Sequence, residues 1–264
     1  MRLIITNKVE HWVATYLKEK LKLQANKKFV LGLPTGSTAI LLYEKLLQFY
    51  KNQEISFKHV STFNMDEYIK LAKNNPQSYW SFMHQHFFNH IDIDPTNINI
   101  PNGNAPDIKG ECRLYEEKIK KAGGIDLFIG GVGENGHLAF NEPYSSLSSK
   151  TRDKELNQNT ILANARFFNN DVASVPKSAI TVGIDTLMAA GEVVIMITGA
   201  KKALALHHAL EKGVSHLWPI SILQFHKKAI IVADEGASLE LKVKTYKYFK
   251  ELQDEYSVIE SLIK

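Results

Sequence analysis

One histidine in this chain stands where a proton could be moved. Residues 125–143 read I-D-L-F-I-G-G-V-G-E-N-G-H-L-A-F-N-E-P. An apolar run, Ile125 to Ile129, ends at Gly130, Gly131 and Gly133. His137 follows in a glycine-lined turn, with Asn135 two residues before it and Glu142 five after. A side chain that changes charge near neutral pH, placed beside an amide and a carboxylate, suits proton transfer. A second string, S-T-F-N-M-D-E-Y, ends another apolar run in two carboxylates, Asp66 and Glu67. Neighbouring side chains on an extended backbone diverge, so one of the pair is expected to face a pocket. A carboxylate there could take a proton from a carbon next to a carbonyl or imine. Taken singly, the histidine also fits a structural turn, and the acids fit a helix cap or the surface.

A third string, L-G-L-P-T-G-S-T, runs from Leu31 to Thr38. Gly36, Ser37 and Thr38 open the predicted helix after a strand, with Ser37 or Thr38 as its cap. Free N–H groups at such a start attract phosphate. No lysine follows Gly36, so this is not the P-loop of nucleotide hydrolases. Arg166, beside two phenylalanines, and Lys202, after an apolar strand and a turn, could complete a phosphate site, although a lone cation also fits a solvated surface. Gly131, Gly133 and Gly136 match G-x-G-x-x-G. Pro143 interrupts any helix directly after them, and no acid follows on a second strand, so a dinucleotide site is not implied. His84, His86 and His90 share a helical stretch without an acid or cysteine nearby and read as helix decoration. The pair His207–His208 reads the same way, and no metal site is expected.

The elements that must position these groups alternate. Strand-like runs are predicted at Arg2–Ile5, Phe29–Leu33, His59–Phe63, Ile125–Ile129, Ala179–Ile184, Val193–Thr198 and Ala229–Ala233. Helical spacing of apolar residues marks Val9–Leu23, Ile40–Tyr50, Ser78–His90, Cys112–Ala122, Lys201–Lys212 and Leu239–Leu252. Such alternation predicts an α/β fold, a mostly parallel central sheet with helices on both faces, in a Rossmann-like three-layer sandwich. Ligands gather at the carboxyl ends of its strands. Residues 141–175 show no clear strand and read as a long excursion. One domain over residues 1–264 is expected, with a mobile lid around 144–170.

Composition sets bounds on partners. The chain has 264 residues, 44% hydrophobic and 23% charged, with a net charge of +4. That mild balance and the absence of a long basic run do not point to nucleic acid. The single cysteine, Cys112, excludes an internal disulfide. No stretch is long and apolar enough for a membrane span or a secretion signal, so a cytoplasmic protein is expected.

Several strings occur together in one order: L-G-L-P-T-G-S-T, T-F-N-M-D-E-Y, N-P-Q-S-Y, G-H-L-A-F-N-E-P, Ser149–Arg152, R-F-F, V-P-K-S-A-I-T-V-G, K-A-L-A-L and E-L-K-V-K-T. Over almost its whole length the chain thereby resembles the glucosamine-6-phosphate deaminase (isomerase) family. The resemblance implies an enzyme of amino-sugar and N-acetylglucosamine catabolism, a hydrolase acting on an amino sugar phosphate. It would convert glucosamine 6-phosphate and water to fructose 6-phosphate and ammonia, with no metal or organic cofactor. It implies Asp66 as the base at C2 and His137 as the ring-opening proton shuttle, oriented by Asn135 and Glu142. The phosphate would lie on Gly36, Ser37, Thr38, Arg166 and Lys202. Longer members are hexamers activated by N-acetylglucosamine 6-phosphate, and Ser145, Arg152, Lys154 and Tyr248 match that allosteric site. One departure concerns Asn135, where some members carry Asp. Two other readings share this architecture: another phosphosugar enzyme, such as a 6-phosphogluconolactonase, and a sugar-phosphate sensor domain of a transcription regulator. A lactonase needs no base at C2, and a sensor needs a DNA-binding module for which the chain leaves no spare helix-turn-helix segment.

Overall fold

The computed structural model describes residues 1–24 and 27–255. Seven parallel strands form the main sheet: β1 (Arg2–Ile5), β2 (Phe29–Leu33), β3 (Val60–Asn64), β5 (Ile98–Asn99), β6 (Leu127–Gly131), β9 (Glu192–Ile197) and β10 (Ala229–Ala233). Their spatial order is β1-β10-β9-β6-β2-β3-β5. A smaller antiparallel sheet is ordered β4 (Asp66–Tyr68), β8 (Ser178–Thr181), β7 (Arg152–Glu155). The helices are α1 (Val9–Leu23), α2 (Ser37–Lys51), α3 (Tyr79–His86), α4 (Ile108–Ala122), α5 (Gln158–Asn164), α6 (Ile184–Met188), α7 (Ala203–Glu211) and α8 (Val243–Glu255).

The strand period of two divides the core in two. Val193, Ile195 and Ile197 of β9 face one cluster, together with Tyr115 of α4, Leu187 of α6, Leu206 of α7 and Phe249 of α8. Val194 and Met196 of the same strand face the other, with Val13 and Leu17 of α1, Leu42 and Leu46 of α2 and Met83 of α3. This is the expected helix–sheet–helix sandwich, and it explains why the central strands are apolar throughout. Gly32 in β2 lies beneath the Phe128 ring of β6; an added Cβ would sit 2.8 Å from that ring.

Strand order reverses between β2 and β6. From β2 the chain steps through β3 to β5, whereas β9 and β10 lie on the far side of β6. Parallel strands on either side of such a reversal leave a crevice at their carboxyl ends, where the loops part in opposite directions. The loops after β3, β2, β6 and β9 therefore stand in a row, carrying Asp66, Gly36–Thr38, Asn135–Glu142 and Lys202.

The structure departs from the sequence expectations at three places. The run Ala179–Ile184 does not join the main sheet. Its strand, Ser178–Thr181, pairs antiparallel with both β4 and β7. A short run buried on both faces reads alike in either setting, so periodicity could not separate them. The excursion 141–175 does contain a strand, β7. Its residues R-D-K-E are charged, as suits an edge, and carry no apolar signal. The helix predicted over Ser78–His90 breaks at Phe87 (φ −145°, ψ −64°), leaving a 3-10 turn at Phe88–His90.

Candidate active site

The turn after β6 is shaped around the His137 ring. A Cβ placed on Gly133 would lie 2.2 Å from His137 Cε1 and 2.4 Å from Nδ1, so the ring rests directly on that backbone. Gly133 N–H donates to the His137 carbonyl at 3.0 Å, and Gly136 N–H to the Gly133 carbonyl at 3.0 Å. Gly136 has φ +80° and leaves no room for a side chain against Trp218, whose ring would lie 2.7 Å from an added Cβ. The loop is thus fixed on both sides before any ligand arrives.

A three-residue relay sets the histidine's proton. His137 Nδ1 lies 2.7 Å from Asn135 Oδ1, and Asn135 Nδ2 donates to Glu142 Oε2 at 2.8 Å. The second oxygen, Oε1, accepts the Thr160 hydroxyl. Burial alone would raise the Glu142 carboxyl, but the His137 ring, Thr160 and Asn135 outweigh it and bring the pKa down to about 2. An ionised carboxylate only accepts, so the Asn135 amide must turn its NH2 toward Glu142 and its oxygen toward His137. The imidazole then carries its proton on Nδ1, and Nε2 is left with a lone pair. The asparagine at this position transmits the tautomer, while the negative charge stays on Glu142, whose Oε2 is 3.6 Å from His137 Nδ1.

The two adjacent acids diverge, as expected. Glu67 accepts three backbone N–H groups: Tyr68 at 2.9 Å, Tyr79 at 3.0 Å and Trp80 at 2.8 Å. It satisfies the start of α3, alongside the Ser78 hydroxyl, which accepts Ser81 N–H at 3.0 Å. Asp66 alternates with it along β4 and points the other way. Among the described residues no hydrogen bond ends on the Asp66 carboxyl oxygens, and the residue is 7% exposed. Burial first, then the negative charge of Glu67, pushes its pKa up to about 8. A carboxyl kept reactive and unpaired at a strand end suits a base awaiting its substrate.

The helix start and the two cations carry the kinds of group, free N–H donors and positive charge, that an anion can meet. Gly36 has φ +101° and is itself the N-cap of α2. Neither Ser37 nor Thr38 caps the helix, contrary to the sequence expectation, because both fall inside its first turn. Lys202 closes the 3-10 turn Ala200–Lys202 that follows Gly199 (φ +89°) and is the N-cap of α7. Burial lowers the Lys202 ammonium below the usual lysine range; Glu134 and Asp234 oppose that shift, while the positive charge of Arg166 adds to it. The two cations therefore share one neighbourhood. Among the described residues neither lies within salt-bridge distance of a carboxylate. The Arg166 guanidinium sits over the Phe167 ring, 4.6 Å from its centroid.

Other singled-out residues are distributed differently. Arg152 and Lys154 lie on one face of β7, alternating with exposed Asp153 and Glu155. Ser145 is buried, and its hydroxyl has no partner among the described residues. Tyr248 is exposed on α8, which packs along β1, whereas β7 packs on α4. His84 stacks on Trp80 and bonds its carbonyl at 2.9 Å, and His90 bonds the Gln85 carbonyl at 2.9 Å. His208 stacks on Trp218. Sequence reasoning missed Thr160 on Glu142, and also Asn164 Nδ2, which donates to Tyr68 Oη at 2.9 Å. The N-Q-N-T string marks a helix start at Asn157, which does accept Thr160 N–H at 2.8 Å, but nothing in it names the side chains it meets.

Comparison with known proteins agrees with this geometry. The family model for glucosamine-6-phosphate isomerases/6-phosphogluconolactonase matches residues 5–232. The chain is 56% identical over 268 residues to a glucosamine-6-phosphate deaminase of Fusobacterium nucleatum subsp. nucleatum, covering 100% of this chain and 98% of that protein. It is 55% identical over 259 residues to glucosamine-6-phosphate deaminase 1 of Bos taurus, covering 96% and 89%. Among solved structures it is similar to a monomeric glucosamine-6-phosphate deaminase, with 36% identity, a TM-score of 0.86, and coverage of 90% of this chain and 99% of that one. A 6-phosphogluconolactonase of Thermotoga maritima shares the fold, at 20% identity and a TM-score of 0.69 over 88% and 98% of the two chains.

Proposed function

The chain belongs to the glucosamine-6-phosphate isomerase/6-phosphogluconolactonase family, and from that premise we propose that it converts glucosamine 6-phosphate and water to fructose 6-phosphate and ammonia. The observation that carries this reading is the unpaired, buried Asp66 beside the crevice that also receives the His137 relay. Hydrolysis of a lactone needs no base of this kind, whereas an aldose–ketose conversion does.

The sugar enters as a ring, its phosphate on the Gly36–Ser37–Thr38 turn, Arg166 and Lys202. Remote anchoring of this sort positions the reacting carbon and lowers the entropic part of the barrier. His137 Nε2 takes the proton of the anomeric hydroxyl, the bond from C1 to the ring oxygen breaks, and the imidazolium returns the proton to that oxygen. Glu142, ionised and linked through Asn135, steadies the transient positive charge. The ionised Asp66 then removes the C2 proton while O1 takes a proton from the substrate's own ammonium group, giving an enolamine, and the Asp66 carboxyl returns its proton at C1 to leave an imine at C2. Water adds to the resulting C2 imine, ammonia leaves, and the ketose remains. The substrate's ammonium group, arriving near Asp66, favours the ionised form that the empty site resists.

The wider reading is a cytoplasmic homohexamer of amino-sugar catabolism, activated by N-acetylglucosamine 6-phosphate on Ser145, Arg152, Lys154 and Tyr248. It rests on the matching residue types and on the unpartnered, buried Ser145 hydroxyl. The segment 144–170, which carries Arg166, is its lid, and residues 1–264 act as one domain. Among the described residues no helix is long and apolar enough to cross a membrane.

Turnover in deuterated water tests the chemistry directly. Fructose 6-phosphate formed by the wild type should carry deuterium at C1, and Asp66→Asn should abolish both turnover and label. Product without label would remove Asp66 from its role as a base that exchanges with solvent between the two carbons.

A further inference from the structure

Glu142 has two oxygens with two different masters. Oε2 accepts the Asn135 amide and so belongs to the relay. Oε1 accepts the hydroxyl of Thr160, which stands eighteen residues further on, in the first turn of α5. Among the described residues this contact is the only side-chain hydrogen bond that joins the segment 144–170 directly to the relay; the other link is the backbone N–H of Ser145, which donates to the Glu142 carbonyl at 3.0 Å. The same segment touches the site twice more. Asn164, at the end of α5, donates to Tyr68 Oη at 2.9 Å, and Tyr68 shares β4 with Asp66. Arg166 follows in the next turn and lies in the neighbourhood of Lys202. One short helix therefore connects the phosphate cation, the base-bearing strand and the carboxylate of the relay.

Resting on the deaminase reading, we propose that Thr160 is a positioning residue, whose hydroxyl seats Glu142 only when α5 is docked and so ties lid closure to ring opening. With the hydroxyl in place, Glu142 is pinned at one oxygen and presents the other to Asn135. Without it, burial of the carboxylate is less compensated, its rotamer is released, and the Asn135 amide loses the fixed acceptor that sets its direction. When a phosphate draws Arg166 inward, α5 is carried with it and Thr160 is held against Glu142. The His137 tautomer is then secured at the moment a substrate is bound. Thr160 touches no reacting atom in this scheme; it acts through Glu142 alone.

Three variants separate this role from simple packing. Thr160→Val keeps the shape and removes the hydroxyl; Thr160→Ser keeps the hydroxyl; Thr160→Ala is the fallback should Val fail to fold. With glucosamine 6-phosphate as substrate, Thr160→Val should lower kcat about tenfold with KM changed less than about twofold, and Thr160→Ser should stay within about twofold of wild type. With substrate deuterated at C2, the isotope effect on kcat should fall in the Val variant, because ring opening then limits the rate. In a Glu142→Gln background the same Val substitution should cost less than about twofold, since the charge it steadies is gone. Equal losses in Val and Ser, an unchanged isotope effect, or full additivity with Glu142→Gln would overturn the proposal. Hydrogen exchange of the Ile161–Asn164 amides gives a second measure that needs no turnover. Protection should drop in Val and persist in Ser, and equal protection in both would likewise overturn the latch. A wild-type protein that releases no ammonia would instead defeat the deaminase reading, and the exchange result would still decide the contact.

Discussion

Asp66 is a carboxyl held where a carboxylate is disfavoured, and that position links stability to activity. Its pKa in the folded chain is about 8 against an ordinary 3.8, because burial and then Glu67 oppose its charge. The folded chain therefore keeps a proton that the unfolded chain releases. Stability from this group is full below about pH 4 and is lost as pH rises to about 8. Asp66→Asn should cut turnover on the order of a thousandfold yet raise the melting temperature at pH 9, with the gain fading toward pH 4. Thermal melts at both pH values check this, and a variant less stable at pH 9 would contradict it. As a base, Asp66 must be ionised, so kcat/KM should climb with pH toward about 8. At Glu142 the sign is opposite: its pKa of about 2 leaves it ionised throughout that range. Glu142→Gln keeps an acceptor for Asn135 but removes the charge that steadies imidazolium. It should slow ring opening on the order of 10- to 100-fold, and the isotope effect at C2 should fall. An unchanged isotope effect would place Glu142 outside that step.

At the scale of elements, the site depends on how three strand ends are finished. Glu67 fastens β4 to the start of α3 through three N–H groups. Glu67→Ala should therefore cost about 1–3 kcal/mol in denaturant unfolding, while Glu67→Gln should move the acid limb of kcat/KM downward by removing a like charge beside Asp66. A limb that stays in place would deny that coupling. Gly133 forms the bed of the His137 ring, and its φ is not in the left-handed region, so Gly133→Ala acts by displacement rather than by backbone strain. It should lower kcat about 100-fold with the fold retained by circular dichroism; near-wild-type turnover would show that the ring can rest elsewhere. These strand ends were legible in the sequence because β2 runs into Pro34, Thr35 and Gly36, β3 ends at Asn64 just before Asp66 and Glu67, and β6 ends in Gly130 and Gly131. The relay residues Asn135, His137 and Glu142 were legible because they sit within eight positions of one another. Thr160 was not, since its contact joins two loops that only the fold brings together. Likewise β7 carries no apolar alternation and β8 looks like any buried strand, so the antiparallel sheet that orients Asp66 left no periodic trace.

At the scale of the molecule, the fold supplies a reversal of strand order and a row of loops at one edge. The alternation of strands and helices predicted the parallel sheet with ligands at its carboxyl ends, whereas the strand order and its reversal came only with the structure. The proposed hexamer concerns surfaces between chains: sedimentation should read six chains of 29.8 kDa, with N-acetylglucosamine 6-phosphate increasing turnover at low substrate. A single sedimenting chain would align it with its monomeric structural relative and remove the shared activator site. The central claim, that Asp66 and His137 together isomerise and deaminate glucosamine 6-phosphate, is tested most directly by measuring ammonium and fructose 6-phosphate from the same reaction. The account predicts equal release of both by the wild type and none above background by Asp66→Asn. Tight phosphosugar binding with no release of either product would contradict it and favour a sensor of the same fold.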